Sequence, residues 1–421
     1  MNSSMQNKLI IFSLFLIFLI PVGLITGPFI PDLFLVIISV NFLTCLYLEN
    51  NFSILKKKSV IVFLLFCSII SIVSFFSFNL SSIKSGLFYF RFGLFILAIY
   101  FFLNKNDKIF VFLNYLLISI YIILFIDTLY QYNYGKNIIG LDYTNDTNFR
   151  ITSFFGKDEV LGSYIARLFP FLTFLIFISF NNSLFRKRLT FLLLTITSMI
   201  AIIFSGERTA FALFFLFISF IFLSSFNLRK ILIFPLILGI IIITGIVSTN
   251  EKVKERMFDR TVDQLGLSSN SERLVLFSKT YEGHYLIALK MFKEKPVFGH
   301  GPKMFRYYCA KKENFVADHA CTTHPHNFYA QMLAESGLIG FSFLIVLYLY
   351  ILSIFLKNFY FQIKYKKQFI SDIGLCLLGS LFINLFPILP SGNFFNNWLS
   401  IIMYYPIGFL IYIVKNNKFY A

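Results

Sequence analysis

The sequence predicts an all-α polytopic membrane protein: about 12 transmembrane helices with one large, mostly helical periplasmic loop. Three observations carry that expectation. Of 421 residues, 57% are hydrophobic and only 14% charged, where a soluble domain carries roughly a quarter charged residues. Aromatic residues reach 20%, with 59 Phe, more apolar surface than one aqueous core can bury. Apolar runs of about 20 residues, the length that crosses a bilayer as a helix, recur along the chain. This composition excludes a secreted disulfide scaffold, a disordered tail protein and a cytosolic enzyme.

In order, the spans read as 9–25, 29–48, 59–78, 86–103, 109–130, 160–180, 189–205, 208–226, 231–248, 336–356, 369–389 and 396–414. The first has Lys8 ahead of it and no small-residue cleavage site behind it, so it reads as a retained span and not a removed signal peptide. The net charge of +17 lies largely in short breaks between apolar runs. That is the positive-inside pattern, and it argues against a nucleic-acid partner. With the N-terminus in the cytoplasm, the short inside connections hold 17 Lys and Arg and the short outside ones hold five. Both termini are therefore expected inside. Residues 131–159 and 249–335 fall outside, dividing the chain into spans one to nine (1–248), a loop domain (249–335) and the last three spans (336–421).

The 249–335 segment, with 13 Lys/Arg and 10 Asp/Glu, is close to neutral. Val253, Met257, Thr261 and Leu265 recur at helical spacing, as do Leu274, Phe277, Tyr281, Tyr285 and Leu289. All five histidines (His284, His300, His319, His324 and His326) lie within it. Spans exclude titratable side chains, which explains part of that bias but not the local run His324-Pro-His-Asn327. The zinc spacings HExxH and paired CxxC are absent, and no metal site is expected. Cys309 and Cys321 share the segment, where a disulfide between them is permitted. Cys45, Cys67 and Cys376 lie in spans as small apolar residues.

Arginine placement is a second signal. Arg208 stands in Ser205-Gly-Glu-Arg-Thr-Ala210, on a tight turn at the membrane boundary, where a fixed guanidinium suits bidentate phosphate recognition. Arg91 and Arg167 lie within spans, where a centred Arg costs roughly 2.5–3.5 kcal/mol on insertion scales; each reads equally as a snorkelling or carboxylate-paired structural residue and as a functional one. Asp158, Glu159 and Glu207 are candidates for pairing with arginines. The run from Glu294 to Pro302, with Pro296, Gly299 and Gly301, breaks a helix but lacks the order of a phosphate loop. No nucleophile elbow or Ser-His-Asp arrangement stands out.

The order of these elements resembles the O-antigen ligase / O-antigen polymerase family of membrane glycosyltransferases. Arg150-Ile-Thr-Ser-Phe-Phe-Gly156 resembles the family's arginine-containing outer segment, and Ser205–Ala210 its short outer turn. Ser271-Glu-Arg-Leu274 opens a loop helix leading to Pro296-Val-Phe-Gly-His-Gly301. His324-Pro-His-Asn-Phe-Tyr329 then leads to Leu333-Ala-Glu-Ser-Gly-Leu-Ile-Gly340. The motifs cover 150–340, and 324–340 is their most specific part. The sequence departs from the family at Phe277, where Trp is frequent, and in its Cys309/Cys321 pair.

The resemblance implies transfer of a glycan from an undecaprenyl diphosphate carrier at the periplasmic face of the bacterial inner membrane. The acceptor is a lipid A–core sugar for a ligase and a carrier-linked repeat for a polymerase; neither metal nor cofactor is implied. Arg208 and Arg273 would hold the diphosphate and His326 would be the base, with His324 and Asn327 beside it. Arg150 and Arg91 complete the expected substrate-binding set, and grooves between Phe-rich spans would hold the lipid tails. The chemistry is coherent by itself: arginines meet the charge of a leaving diphosphate, and a neutral imidazole takes the acceptor's proton. A transporter or flippase of lipid-linked glycans suits the spans and in-membrane arginines, but it gathers polar groups near the midplane with repeat symmetry. A receptor or scaffold predicts that no single His or Arg matters.

Overall fold

The apolar runs fold as helices, and the breaks between them as short turns. The computed structural model describes residues 2–142, 149–180, 183–267 and 278–421. Before the loop the helices are α1 (Asn2–Ile25), α2 (Phe29–Leu48), α3 (Lys58–Phe75), α4 (Leu80–Leu87), α5 (Arg91–Lys105), α6 (Ile109–Tyr134), α7 (Leu161–Ser179), α8 (Leu184–Phe204), α9 (Arg208–Ser224) and α10 (Phe226–Thr249). The loop carries α11 (Glu251–Lys254), a π turn, α12 (Arg260–Gln264), α13 (Lys279–Glu294) and α14 (Phe305–Cys309). After it come α15 (Phe328–Tyr365), α16 (Asp372–Asn384) and α17 (Asn397–Lys415). Among the described residues there is no β-strand, only isolated bridges at Lys136–Asp142 and Ile370–Tyr420.

Among the described residues, ten helical stretches are long and apolar enough to cross a membrane, α4 and α5 together forming one of them. The other two expected spans are shorter apolar helices, α9 with 17 residues and α16 with 13. At about 1.5 Å per residue, α16 reaches only part of the way across a hydrocarbon core of about 30 Å. It stops at Asn384 because Pro387, Pro390 and Gly392 follow, and the chain runs irregularly to Asn396. Irregular backbone at this position is tolerated where protein covers it or where it lines a cavity, and this stretch does line one.

Helix α7 is the axis of the bundle and packs against α6, α8, α9, α16 and α17. Nearly all of it is buried, Arg167 included. Lipid tails are as apolar as these side chains, so association rests on close packing. The Phe171 ring meets Tyr405 at 5.1 Å and Phe409 at 4.7 Å, both edge-on, contacts worth about 0.5–1.5 kcal/mol each beyond their area. At the periphery, α10 and α15 turn Phe234, Ile237, Ile241, Val346 and Tyr350 outward, as lipid-facing helices do. Arg91, expected within a span, opens α5. It donates to Asp32 at 3.0 Å and to Asn397 at 2.9 Å, tying α5 to α2 and α17.

The loop packs directly onto the start of α15. Ile287, Met291, Phe305, Tyr308 and Ala334 form a small core of their own. The Pro/Gly run then clamps α15 through backbone bonds: His300 N–H to Ala334 O (3.1 Å), Gly301 N–H to Glu335 O (2.8 Å) and Leu338 N–H to Pro296 O (2.8 Å). Gly337 makes the clamp possible. It kinks α15 at φ 61°, and a Cβ there would lie 2.3 Å from Val297 O. The buried Glu335 carboxylate accepts from Lys303 N–H (2.9 Å), Phe305 N–H (3.0 Å) and Gln331 Nε2 (2.8 Å). Cys309 and Cys321 are joined by a disulfide, with Cα atoms 5.3 Å apart.

Candidate active site at the loop end of the bundle

The turn between α8 and α9 draws arginines from three parts of the chain. Gly206 has φ +65°, and a Cβ there would lie 2.6 Å from Phe149 O, 3.2 Å from Arg150 Cγ and 3.3 Å from Arg256 Cγ. A glycine meets both the backbone and the space requirement. Arg150 pairs with Glu159, Arg256 Nε donates to Gly206 O at 3.2 Å, and Arg260 pairs with Glu255 at 2.9 Å. Arg208 donates to the Thr261 hydroxyl at 3.3 Å and lies within electrostatic reach of Arg150, Arg260 and Tyr281. Burial, reinforced by the neighbouring guanidiniums of Arg150, Arg208 and Arg260, pulls Arg256 down to about 10. Such mutual repulsion favours an anion among them.

Glu207 faces the other way, accepting from Gly162 N–H (2.6 Å), Ser163 N–H (3.1 Å) and the Ser163 hydroxyl (2.7 Å) at the N-terminus of α7. Burial pushes its carboxyl up to about 7, against the pull of these hydrogen bonds.

The histidines gather where the loop rejoins the bundle. His326 has a left-handed backbone, φ 53°, and its carbonyl accepts from Ser391 N–H at 2.9 Å. A non-glycine residue in this region stores roughly 1–3 kcal/mol. Its ring lies 4.1 Å from that of His324, 5.2 Å from that of His284 and 5.6 Å from that of Tyr281, centroid to centroid. Burial lowers His326 to about 4, with the His284 ring adding to the effect. His324 falls to about 3 by burial and then by its neighbour His326. Both imidazoles are neutral at neutral pH. Tyr281 therefore bridges the two clusters, its ring against His326 and its hydroxyl in the field of Arg208. His300 is a brace, bonded to Met291 O at 2.9 Å.

A cavity of about 590 Å³ opens beside His324. Its walls include Arg167 and Ser163 of α7, Lys303 and Arg306 of the loop, and Asn393 and Trp398 near the start of α17.

Several expected residues converge here. His326, His324, Arg208 and Arg150 lie at this one end of the bundle, while Arg273 falls outside the described residues. Asn327 plays a framing part: it caps α15, accepting from Tyr329 N–H (2.9 Å) and Ala330 N–H (3.1 Å), and donates to Pro387 O at 2.7 Å. Both ends of its side-chain amide help hold the histidine loop. Arg91 is committed to Asp32 and reaches the cavity only through Asn397, a wall residue. Among the described residues no group of three or more His, Cys, Asp or Glu is arranged to hold a metal ion.

Arg256, Lys303, Arg306 and Asn393 belong to no motif of the sequence, and Tyr281 is legible there only as one of the residues at helical spacing. Lys303 and Arg306 directly follow the Pro/Gly run, and Asn393 lies in the stretch where Pro390 and Gly392 interrupt an apolar run. Those breaks were the available signal.

Residues 189–345 match the family model described as O-Antigen ligase. No curated protein matches the chain. The matched stretch runs from α8 through the arginine turn and the loop into α15, and it contains Arg208, His324 and His326. That match, over less than half of the chain, supports a likeness of this multi-pass membrane protein to the O-antigen ligase/polymerase family.

Proposed function

We propose that the protein is a membrane glycosyltransferase that moves an O-antigen-type glycan from undecaprenyl diphosphate to a lipid A–core sugar at the periplasmic face of the inner membrane. One observation carries this reading: a neutral, half-buried histidine pair stands one tyrosine away from a cluster of arginines, within the stretch matched to O-antigen ligases. The 17-to-5 basic asymmetry favours cytoplasmic termini, with this end of the bundle outside.

The acceptor hydroxyl attacks the anomeric carbon of the donor, and the carbon–oxygen bond to the diphosphate breaks. His326 takes the hydroxyl proton. The departing undecaprenyl diphosphate is met by Arg208, with Arg150 and Arg256 in support, preorganised charge that needs no rearrangement during the step; Arg273, expected from the resemblance to add to them, lies outside the described residues. Attack opposite the leaving group inverts the anomeric centre, and the chemistry needs no metal. A base lowered to about 4 is weak in the free protein. A diphosphate anion alongside raises it, so proton transfer is favoured only when donor is bound.

The test is His326→Ala beside His326→Asn, since Asn tolerates the left-handed backbone. Both should stay inserted and folded while transfer falls about 10²–10⁴-fold. Near wild-type turnover by purified His326→Asn would end the catalytic assignment. A strain lacking the gene decides the acceptor: bare core with accumulated long carrier-linked chains marks a ligase, and core bearing a single repeat marks a polymerase.

A further inference from the structure

None of the arginines at the α8–α9 turn lines the cavity beside His324. Three of its wall residues, Arg167, Lys303 and Arg306, are cations, and none of them forms an ion pair among the described residues. The carboxylates within their electrostatic reach, Glu207 and Glu335, are turned toward backbone N–H groups of Gly162, Ser163, Lys303 and Phe305. Arg167 Nε, Arg306 Nε, Asn393 Nδ2 and His324 Nε2 are buried without a hydrogen-bond partner among the described residues. Buried donors without acceptors are costly. Three of these atoms are donors, two of them on the guanidiniums of Arg167 and Arg306 and the third on Asn393, and with the Lys303 ammonium beside them they define a receptor for an anion. Pro28, Val160 and Trp398 add an apolar wall, the surface that the face of a sugar ring needs.

We infer that this cavity binds an anionic group carried by the acceptor glycan, a uronate carboxylate or a phosphate ester. Tyr281 lies within the electrostatic reach of Arg208, its ring meets that of His326, and His326 meets His324 at the cavity wall. The imidazole pair therefore stands between two basic sites, one suited to the donor's diphosphate and the other to a charge on the incoming acceptor. Anchoring that charge delivers a hydroxyl to the base and discriminates against neutral acceptors. The assignment to the acceptor rests on the glycosyltransferase reading; the binding of a sugar anion does not.

Trp398 is the single tryptophan of the chain and lies in the cavity wall, so its fluorescence reports occupancy in the purified full-length protein. Galacturonate and galactose 6-phosphate should each change it saturably and galactose should not; the tighter of the two anions identifies the preferred group. Lys303→Gln and Arg306→Gln should each weaken that response about 10- to 100-fold, whereas Arg208→Gln should leave it intact. The wild-type titration stands without any variant, so misfolding of one variant does not remove the test. An equal response to galactose, no saturable response, or tighter binding of inorganic pyrophosphate overturns the inference. So does loss of the response in Arg208→Gln alone. A cavity that binds the sugar anions while acceptors with and without a charged group are used equally in transfer removes the acceptor assignment and leaves the anion site.

Discussion

A single methyl group at Gly206 is expected to remove most of the transfer activity while sparing the fold. Alanine at φ +65° carries a left-handed strain of roughly 1–2 kcal/mol. Its Cβ would lie 2.6 Å from Phe149 O, 0.8 Å short of the 3.4 Å at which ordinary contact begins, and 3.2–3.3 Å from Arg150 Cγ and Arg256 Cγ. The carbonyl cannot simply swing away, because Ile151 N–H, two residues on, is bonded to Phe204 O at 3.2 Å. The displacement therefore falls on the two arginines. A misplacement of about 1 Å costs on the order of 10²-fold in rate, or about 2.7 kcal/mol of barrier. The assay pairs turnover of carrier-linked donor with a melting curve. Gly245→Ala in α10 is the control: its Cβ meets nothing within 4 Å, and alanine suits a helix better by up to about 1 kcal/mol. Wild-type turnover in Gly206→Ala would refute the claim that the turn sets the arginines. A fall in stability large enough to account for all of the lost activity would refute it equally.

Arg208→Lys should lose about 10²–10³-fold in rate, because a point charge does not replace a planar fork at a diphosphate; full activity would make Arg208 an anchor of the turn. In pH profiles, kcat/KM should hold down to about pH 4, where His326 protonates, instead of breaking near 6.5. Because His324 and His326 are lowered from 6.5 to about 3 and 4, the unfolded chain binds more protons below 6.5. Their contribution to stability is full above that value and declines as the pH falls toward 4, which melting curves across that window would show. Glu335→Ala leaves the N–H groups of Lys303 and Phe305 without their acceptor, at about 1–3 kcal/mol each. Limited proteolysis should then cut the 296–320 region faster, and unchanged cleavage would show that the backbone clamp suffices.

Much of the frame was legible because it is written in one dimension. Composition and run length identify helices that lipid must surround, and breaks such as Ser205–Ala210 mark turns. His324-Pro-His-Asn327 drew attention as a local arrangement, although Asn327 turned out to cap α15. The two short helices were harder to read. Residues 369–389 are apolar enough for a span, but helix ends where Pro387 and Pro390 deny the backbone its next turns, and the freed stretch drops into the site.

By itself, then, the sequence determined that this is a helical membrane protein whose motifs resemble those of the O-antigen ligase/polymerase family, and it marked Arg208 and the histidine pair. Those facts depend on residue type, spacing and motif order, which survive without coordinates. Only the tertiary structure decided that Arg91 is held by Asp32, that Glu335 receives the loop's backbone, and that Arg167, Lys303, Arg306 and Asn393 face a common space. These partners lie from a few tens to more than two hundred residues apart. Their meeting is set by how helices pack and where α15 kinks, and no local pattern of side chains encodes that.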